Sequence, residues 1–308
     1  MQEIFDLNNI DPGFPSAVTI GKFDGVHRGH ELLTAYLAKK RNEGCRTILV
    51  TFDVPPKSVI DKEDKKTLVS GEERRHMFEN LGLDIMVVLP FTKELCETEP
   101  EDFIRMLTDK LCMKHLVCGT DFRFGHKGRG DVSLLEKLSL QYGFGLSVIP
   151  KLKEGEEDIS SSRIRQCISE GKMEEARELL GYPYFIWGEV VHGQHIGTGI
   201  GAPTINIQPP EDKLLPPKGV YVTEVEIEGR AYHGITNVGT RPTFTDENIM
   251  TVETHILDFK RDVYENYATI SFFKYIRPEM KFENAKDLSE QVKRDKQEAF
   301  SYFNDQKY

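Results

Sequence analysis

Between Val18 and Pro150 the chain alternates short apolar runs with stretches whose apolar residues recur at helical spacing. The runs at 17–21, 46–52, 85–91, 115–119 and 144–149 predict strands. Between them Glu31 to Arg41 reads as helix, Ser70-Gly71-Glu72-Glu73 is a capping box opening a second, and Pro100 stands near the start of a third. Five such strands with four crossover helices make a Rossmann-like, doubly wound parallel sheet. Beyond Gly181 the rhythm changes to runs at 185–192, 203–207, 219–228, 231–238, 250–258 and 268–276, separated by turn signals. Thr223 to Glu228 alternates strictly and Gly229 marks a hairpin, so this half predicts a small antiparallel β-barrel. A last helix, about Asp287 to Phe303, carries Leu288, Val292 and Phe300 among charges and should lay one stripe on the barrel. The expected fold class is α/β plus β, with domains at 1–182 and 183–308.

Composition narrows the chemistry. The 308 residues, 39% of them apolar and 10% aromatic, suffice for two cores, and no internal repeat or low-complexity segment interrupts them. A formal net charge of -10 argues against broad binding to nucleic acid or membrane surfaces, so a phosphate ligand would need a local cationic pocket. Lys62 to Lys66 is most simply a solvated charged loop. Five scattered cysteines without a C-x-x-C pair read as mostly buried thiols in a reducing cytoplasm rather than as disulfides or a zinc site. No apolar run reaches membrane-spanning length, and the N-terminus lacks a basic-then-apolar leader.

Thr19-Ile20-Gly21-Lys22-Phe23-Asp24-Gly25-Val26-His27-Arg28-Gly29-His30 runs from a strand into a glycine turn and opens a helix with two histidines three apart. Gly21, Gly25 and Gly29 allow close backbone approach, the helix start offers N–H donors, and imidazoles hydrogen-bond phosphate oxygens. Metal ligation by His27 and His30 lacks a third ligand at an obvious spacing. Ile159 to Arg165 opens another helix with Ser160, Ser161 and Ser162 followed by Arg163 and Arg165, which can cap the helix and grip pyrophosphate. Gly119 to Asp131 pairs aromatics with arginines after a strand, as a site for a flat phosphorylated heteroaromatic would.

In this order the T-I-G-x-F-D-G-V-H-x-G-H block, the G-x-D-F-R-F-G loop and the I-S-S-x-x-I-R block resemble the FMN adenylyltransferase module of bacterial bifunctional riboflavin kinase/FAD synthetases. The resemblance implies a nucleotidyltransferase domain using His27 and His30, with ATP at Gly21, Phe23, Gly29, Ser161, Ser162 and Arg165 and flavin at Asp121, Arg123 and Phe124. Thr51-Phe52-Asp53-Val54-Pro55-Pro56 departs from the family, which usually has a histidine between the prolines.

In the second half, Gly201-Ala202-Pro203-Thr204-Ile205-Asn206, Lys218-Gly219-Val220-Tyr221, Asn237 to Phe244 and Val252-Glu253-Thr254-His255 resemble riboflavin kinase. That likeness implies Mg2+ and ATP at Thr204 and Asn206, further ATP contacts at Gly199, Glu253 as catalytic base and Arg277 near the flavin. Here His195 and Thr198 occupy a glycine-rich loop in which the family normally has arginines, and Ala202 and Ile205 alter its Gly-Phe-Pro-Thr-Ala-Asn ending. The combined expectation is a cytoplasmic enzyme making FMN from riboflavin and FAD from FMN with ATP and Mg2+, its partners being these small molecules and neither nucleic acid nor membrane. Two other readings stay open, activity of the adenylyltransferase alone and a non-catalytic flavin sensor.

Overall fold

A computed structural model describes residues 1–10, 13–53, 66–191, 204–242, 248–259, 261, 263 and 266–305. The chain divides into two compact units, Met1–Ser161 and Ser162–Tyr308.

The first unit is built on six strands, β1 (Gln2–Ile4), β2 (Ser16–Ile20), β3 (Arg46–Phe52), β4 (Ile85–Leu89), β5 (Met113–Gly119) and β6 (Gly145–Ile149). All pair in parallel, in the order β1-β4-β3-β2-β5-β6. The pattern predicts five of these; β1 is three residues long, too short to show a period, and adds itself at the edge beside β4. Neighbouring residues of the central strands enter opposite cores, Val18 and Val50 on one face and Ala17 and Leu49 on the other. Burial on both faces explains why these strands read as continuous apolar runs.

Five helices accompany the sheet, α1 (Arg28–Asn42), α2 (Gly71–Asn80), α3 (Lys93–Glu97), α4 (Pro100–Leu111) and α5 (Val132–Tyr142), and α6 (Ser161–Ser169) follows them in the chain. Ser70 and Glu73 close the expected capping box at α2, and Pro100 occupies the first turn of α4. The five-residue α3 and a hairpin of β7 (Lys153–Glu154) with β8 (Glu157–Asp158) have no counterpart in the sequence reading.

The second unit begins within α6, continues through α7 (Met173–Leu180) and closes a barrel of β9 (Tyr184–Val191), β10 (Thr204–Ile207), β11 (Gly219–Ile227), β12 (Arg230–Pro242), β13 (Asn248–Ile256) and β14 (Tyr267–Arg277). The barrel order is β10-β13-β12-β11-β14-β9, antiparallel throughout. The expected hairpin at Gly229 forms, its two-residue turn being Glu228 and Gly229 with φ of 52° and 71°. The fully buried Thr223, Thr236 and Thr254 link hydroxyl to hydroxyl at 2.8 Å across three adjacent strands. Helix α8 (Ala285–Asp305) covers one barrel face, where Val292, Ala299 and Phe303 pack on Val222, Ile235 and Phe273. The stripe runs through Ala299 and Phe303 rather than Phe300, which is 40% exposed.

The five cysteines are free thiols, but only Cys118 and Cys167 are buried, fewer than the sequence reading expected. No helix among the described residues is long and apolar enough to cross a membrane.

Candidate active sites

Strand β2 lies between β3 and β5, the point at which the strand order of the sheet reverses. Ligands of doubly wound sheets bind beyond the carboxyl ends of the strands at such a point. Gly21–His30 leaves β2 there and Thr120–Gly130 leaves β5 beside it.

Phe23 takes a left-handed backbone (φ 46°) and buries its ring edge-on against Phe78 at 5.6 Å. Its side chain is core, so only its backbone is available to a nucleotide. Asp24 fixes the turn by accepting from the Leu68 amide at 2.7 Å. Gly25 has φ of 72°, and a methyl there would sit 2.7 Å from Leu68.

His27 stands at the N-cap position of α1 without a side-chain capping bond and stacks on His30, ring centroids 3.8 Å apart at 18°. A methyl on Gly29 would press within 3.1 Å of the His27 ring, so this glycine makes room for the imidazole. Burial lowers His27 from 6.5 to about 3, with His30 adding to the effect. Burial likewise lowers His30 to about 4, opposed by its hydrogen bond to Gly25 and by Asp24 and Asp121. Both rings are therefore neutral near pH 7. His30 Nδ1 lies 3.0 Å from the Gly25 carbonyl, which can only accept, so Nδ1 holds the proton and Nε2 presents a lone pair.

The late serine segment reaches this turn: Ser161 Oγ donates to the Asp24 carbonyl at 2.8 Å, across 137 residues of sequence. Ser162 and Arg165 follow it in α6. In the β5 loop Asp121 and Arg123 are exposed, whereas Phe124 is 5% exposed and stacks on Phe122 within the core. Its ring packs the loop onto the fold instead of lying open for a flavin.

The sequence reading missed two ties. Lys151 Nζ bridges Asp121 at 3.0 Å and Asp158 at 3.4 Å, and Arg28 Nη1 donates to Glu154 Oε2 at 2.5 Å. The β7–β8 hairpin thus holds the start of α1 and the β5 loop together. Nothing in its four charged strand residues distinguishes it from a surface turn.

In the second unit Asn206, Glu253 and Asn237 stand directly opposite one another on β10, β13 and β12, with their side chains on one face. Thr204 shares that face and donates to Glu253 Oε1 at 2.9 Å. Asn206 is 8% exposed, and its Nδ2 has no hydrogen-bond partner among the described residues. These groups adjoin a cavity of about 320 Å³ whose wall includes Thr204, Glu253 and Asn237. Val220, Ile235, Leu288, Val292 and Phe282 supply an apolar side. Arg277 enters it held by Asp295 through two bonds, Nε–Oδ1 at 3.1 Å and Nη2–Oδ2 at 2.7 Å. Gln291 adds a third bond to the same carboxylate at 2.8 Å. Asp295 carried no signal in a helix rich in charge, and Asn237 and Glu279 lay in recognised segments without an assigned role. Gly199, with the glycine-rich loop around it, and Val54 to Pro56 lie outside the described residues.

A doubly wound sheet with a histidine-bearing turn at its switch point, joined in one chain to a barrel with a hydroxyl-paired carboxylate at an apolar cavity, defines a two-site enzyme of phosphorus-group transfer. The FAD synthetase family model matches residues 13–163 and the riboflavin kinase model residues 180–303. The bifunctional riboflavin kinase/FMN adenylyltransferase of Listeria monocytogenes is 35% identical over 93% of this chain and 92% of its own. Its counterpart in Escherichia coli K12 is 35% identical over 98% of both. The chain belongs to this bifunctional family. A solved Streptococcus pneumoniae structure described as a macrolide-efflux protein superposes with a TM-score of 0.85 at 29% identity, over 96% of this chain and 97% of that one.

Proposed function

We propose that the enzyme makes FMN from riboflavin in the barrel and FAD from FMN at the parallel sheet, each step consuming ATP. The functional division is taken at 1–182 and 183–308, and the compartment as the cytoplasm, in keeping with five free thiols. One observation supports this reading: the chain has a stacked His27–His30 pair at the switch point of the sheet and, apart from it, a Thr204-paired Glu253 at the barrel cavity.

In the barrel, Glu253 accepts the proton of the riboflavin 5′-hydroxyl as its oxygen attacks the γ-phosphorus of ATP, and ADP leaves with the bridging electron pair. The Thr204 hydroxyl, 2.9 Å away, orients the carboxylate before substrate arrives. Thr204 Oγ1 and Asn206 Oδ1 are hard oxygen donors two residues apart on one face, a pair suited to Mg2+, and the buried, unpartnered Asn206 amide fits a site completed by ligand. When bound there, Mg2+ neutralises charge on the phosphates. Arg277, immobilised by Asp295, faces the flavin.

At the sheet, an FMN phosphate oxygen attacks the α-phosphorus of ATP and pyrophosphate leaves, with no covalent enzyme intermediate. His27, His30 and the backbone at Gly21, Phe23 and Gly29 hold the triphosphate, and Ser161, Ser162 and Arg165 take the departing pyrophosphate. Asp121 and Arg123 contact FMN.

Incubating the protein with riboflavin, ATP and Mg2+ and separating the flavins by chromatography tests the reading. FMN and FAD together are expected. FAD only from supplied FMN would reduce it to the adenylyltransferase, and the absence of both would favour a sensor.

A further inference from the structure

We propose that Glu279 and Asn237 make the kinase selective for a flavin with a polyhydroxylated side chain, by holding the hydroxyls next to the one that reacts. The inference deepens the kinase reading of the barrel and depends on it.

Proton acceptance requires one carboxylate, and Glu253 supplies it. Yet the same cavity has a second, Glu279, whose Oε1 accepts from Asn237 Nδ2 at 3.2 Å. Asn237 is directly opposite Glu253 on the neighbouring strand, so the residue bonded to Glu279 is the cross-strand neighbour of the other carboxylate. Gly239, two residues beyond Asn237, shares that face. A methyl built there would collide with Glu279 Oε1 and come within 3.0 Å of Asn237 Nδ2. A glycine inside a strand weakens it, and here its lack of a side chain is what lets the carboxylate lie against the strand.

The chemistry of the ligand follows from what remains unfilled. A carboxylate accepts about four hydrogen bonds, and among the described residues Glu279 has one, from Asn237. The lone pairs left on Glu279 can accept from hydroxyl donors brought in by a ligand. The apolar side accommodates a flat ring. A neutral chain with several hydroxyls, one against Glu253 and the next ones against Glu279 and Asn237, matches both ends of the cavity.

The test compares riboflavin with a synthetic flavin whose side chain is 5-hydroxypentyl, which keeps the reacting hydroxyl and lacks the others. The unaltered full-length enzyme should favour riboflavin in kcat/KM by on the order of tenfold or more, the discrimination expected when a site built for hydroxyls meets an analogue without them. Glu279→Ala and Asn237→Ala should bring that ratio towards one by losing activity on riboflavin alone, and Glu279→Gln, which keeps an acceptor oxygen, should restore part of it. Gly239→Ala, which displaces the carboxylate without removing it, should show the same loss of preference. Equal loss on both flavins would mean that the pair is only structural and would overturn the proposal, as would an unaltered enzyme without preference. If the unaltered enzyme phosphorylates neither flavin, the kinase reading itself falls. Activity on the 5-hydroxypentyl flavin, kept by each variant, serves as the measure of an intact barrel.

Discussion

His30 carries its proton on the nitrogen facing the Gly25 carbonyl, so its other nitrogen can donate to phosphate only after gaining a second proton. An anion beside the ring stabilises that charged form. ATP binding at pH 7 should therefore draw about one proton from solution, measurable by calorimetry in buffers of different ionisation enthalpy, and His30→Gln should abolish the uptake. Folding has its own pH dependence. Both imidazoles titrate lower in the folded protein than the ordinary 6.5, so between about pH 6.5 and 4 the unfolded chain binds protons that the folded unit rejects. Stability from this source is complete above about pH 6.5 and declines as the pH falls, by up to about 1.4 kcal/mol per pH unit for each ring. Hydrogen exchange at the β2 and β3 amides should show the decline, and the His27→Gln/His30→Gln double variant should flatten it. Glu253→Gln should lower FMN formation by roughly 10²-fold or more, in line with general-base loss, while FAD formation from FMN persists. At this scale the sequence was most legible where spacing and chemistry coincide, as in the two histidines. Phe23 and Phe124 show the limit: an aromatic in a motif looks available to a ligand until tertiary packing takes its ring into the core.

Among the elements, the β7–β8 hairpin and α8 do more for the sites than their sequences indicate. Lys151→Met should release Asp121 and raise the KM for FMN a few-fold with kcat little changed, because partly exposed ion pairs contribute only about 0–1 kcal/mol. Loss of kcat with an unchanged KM would argue against a positioning role for the hairpin. Asp295 is different: it is 2% exposed and holds the mostly buried Arg277. Asp295→Asn should destabilise the barrel unit by roughly 3 kcal/mol, as breaking one side of a buried pair does. It should also weaken riboflavin binding, followed by flavin fluorescence. The pattern revealed the long strands and the capped helices because each repeats its period several times. It passed over β1, α3 and the hairpin because none is long enough to repeat one, and it passed over the two-turn α7 as well. The threonine ladder was equally silent, since hydroxyls facing inward look in sequence like those facing out. Thr236→Val alone should cost about 1–3 kcal/mol by leaving hydroxyl partners unsatisfied, whereas replacing Thr223, Thr236 and Thr254 together should cost far less.

Over the whole molecule, each unit has its own core, and the two reactions should be separable by substitution. His30→Ala should lower FAD formation by about 10²-fold, the usual effect of losing a preorganised phosphate contact, and spare FMN formation; equal loss of both would contradict the assignment of one reaction to each unit. The cavity of the barrel unit is walled by Thr204 and Val220 from its strands and by Leu288, Val292 and Asp295 from α8, which follows every barrel strand in the chain. A ribosome reading this message completes the sheet well before it has made the last wall of that cavity, and domains generally fold in the order in which they emerge. During synthesis each copy therefore passes through a stage at which the half that consumes FMN can already be folded while the half that produces it cannot yet enclose a vitamin.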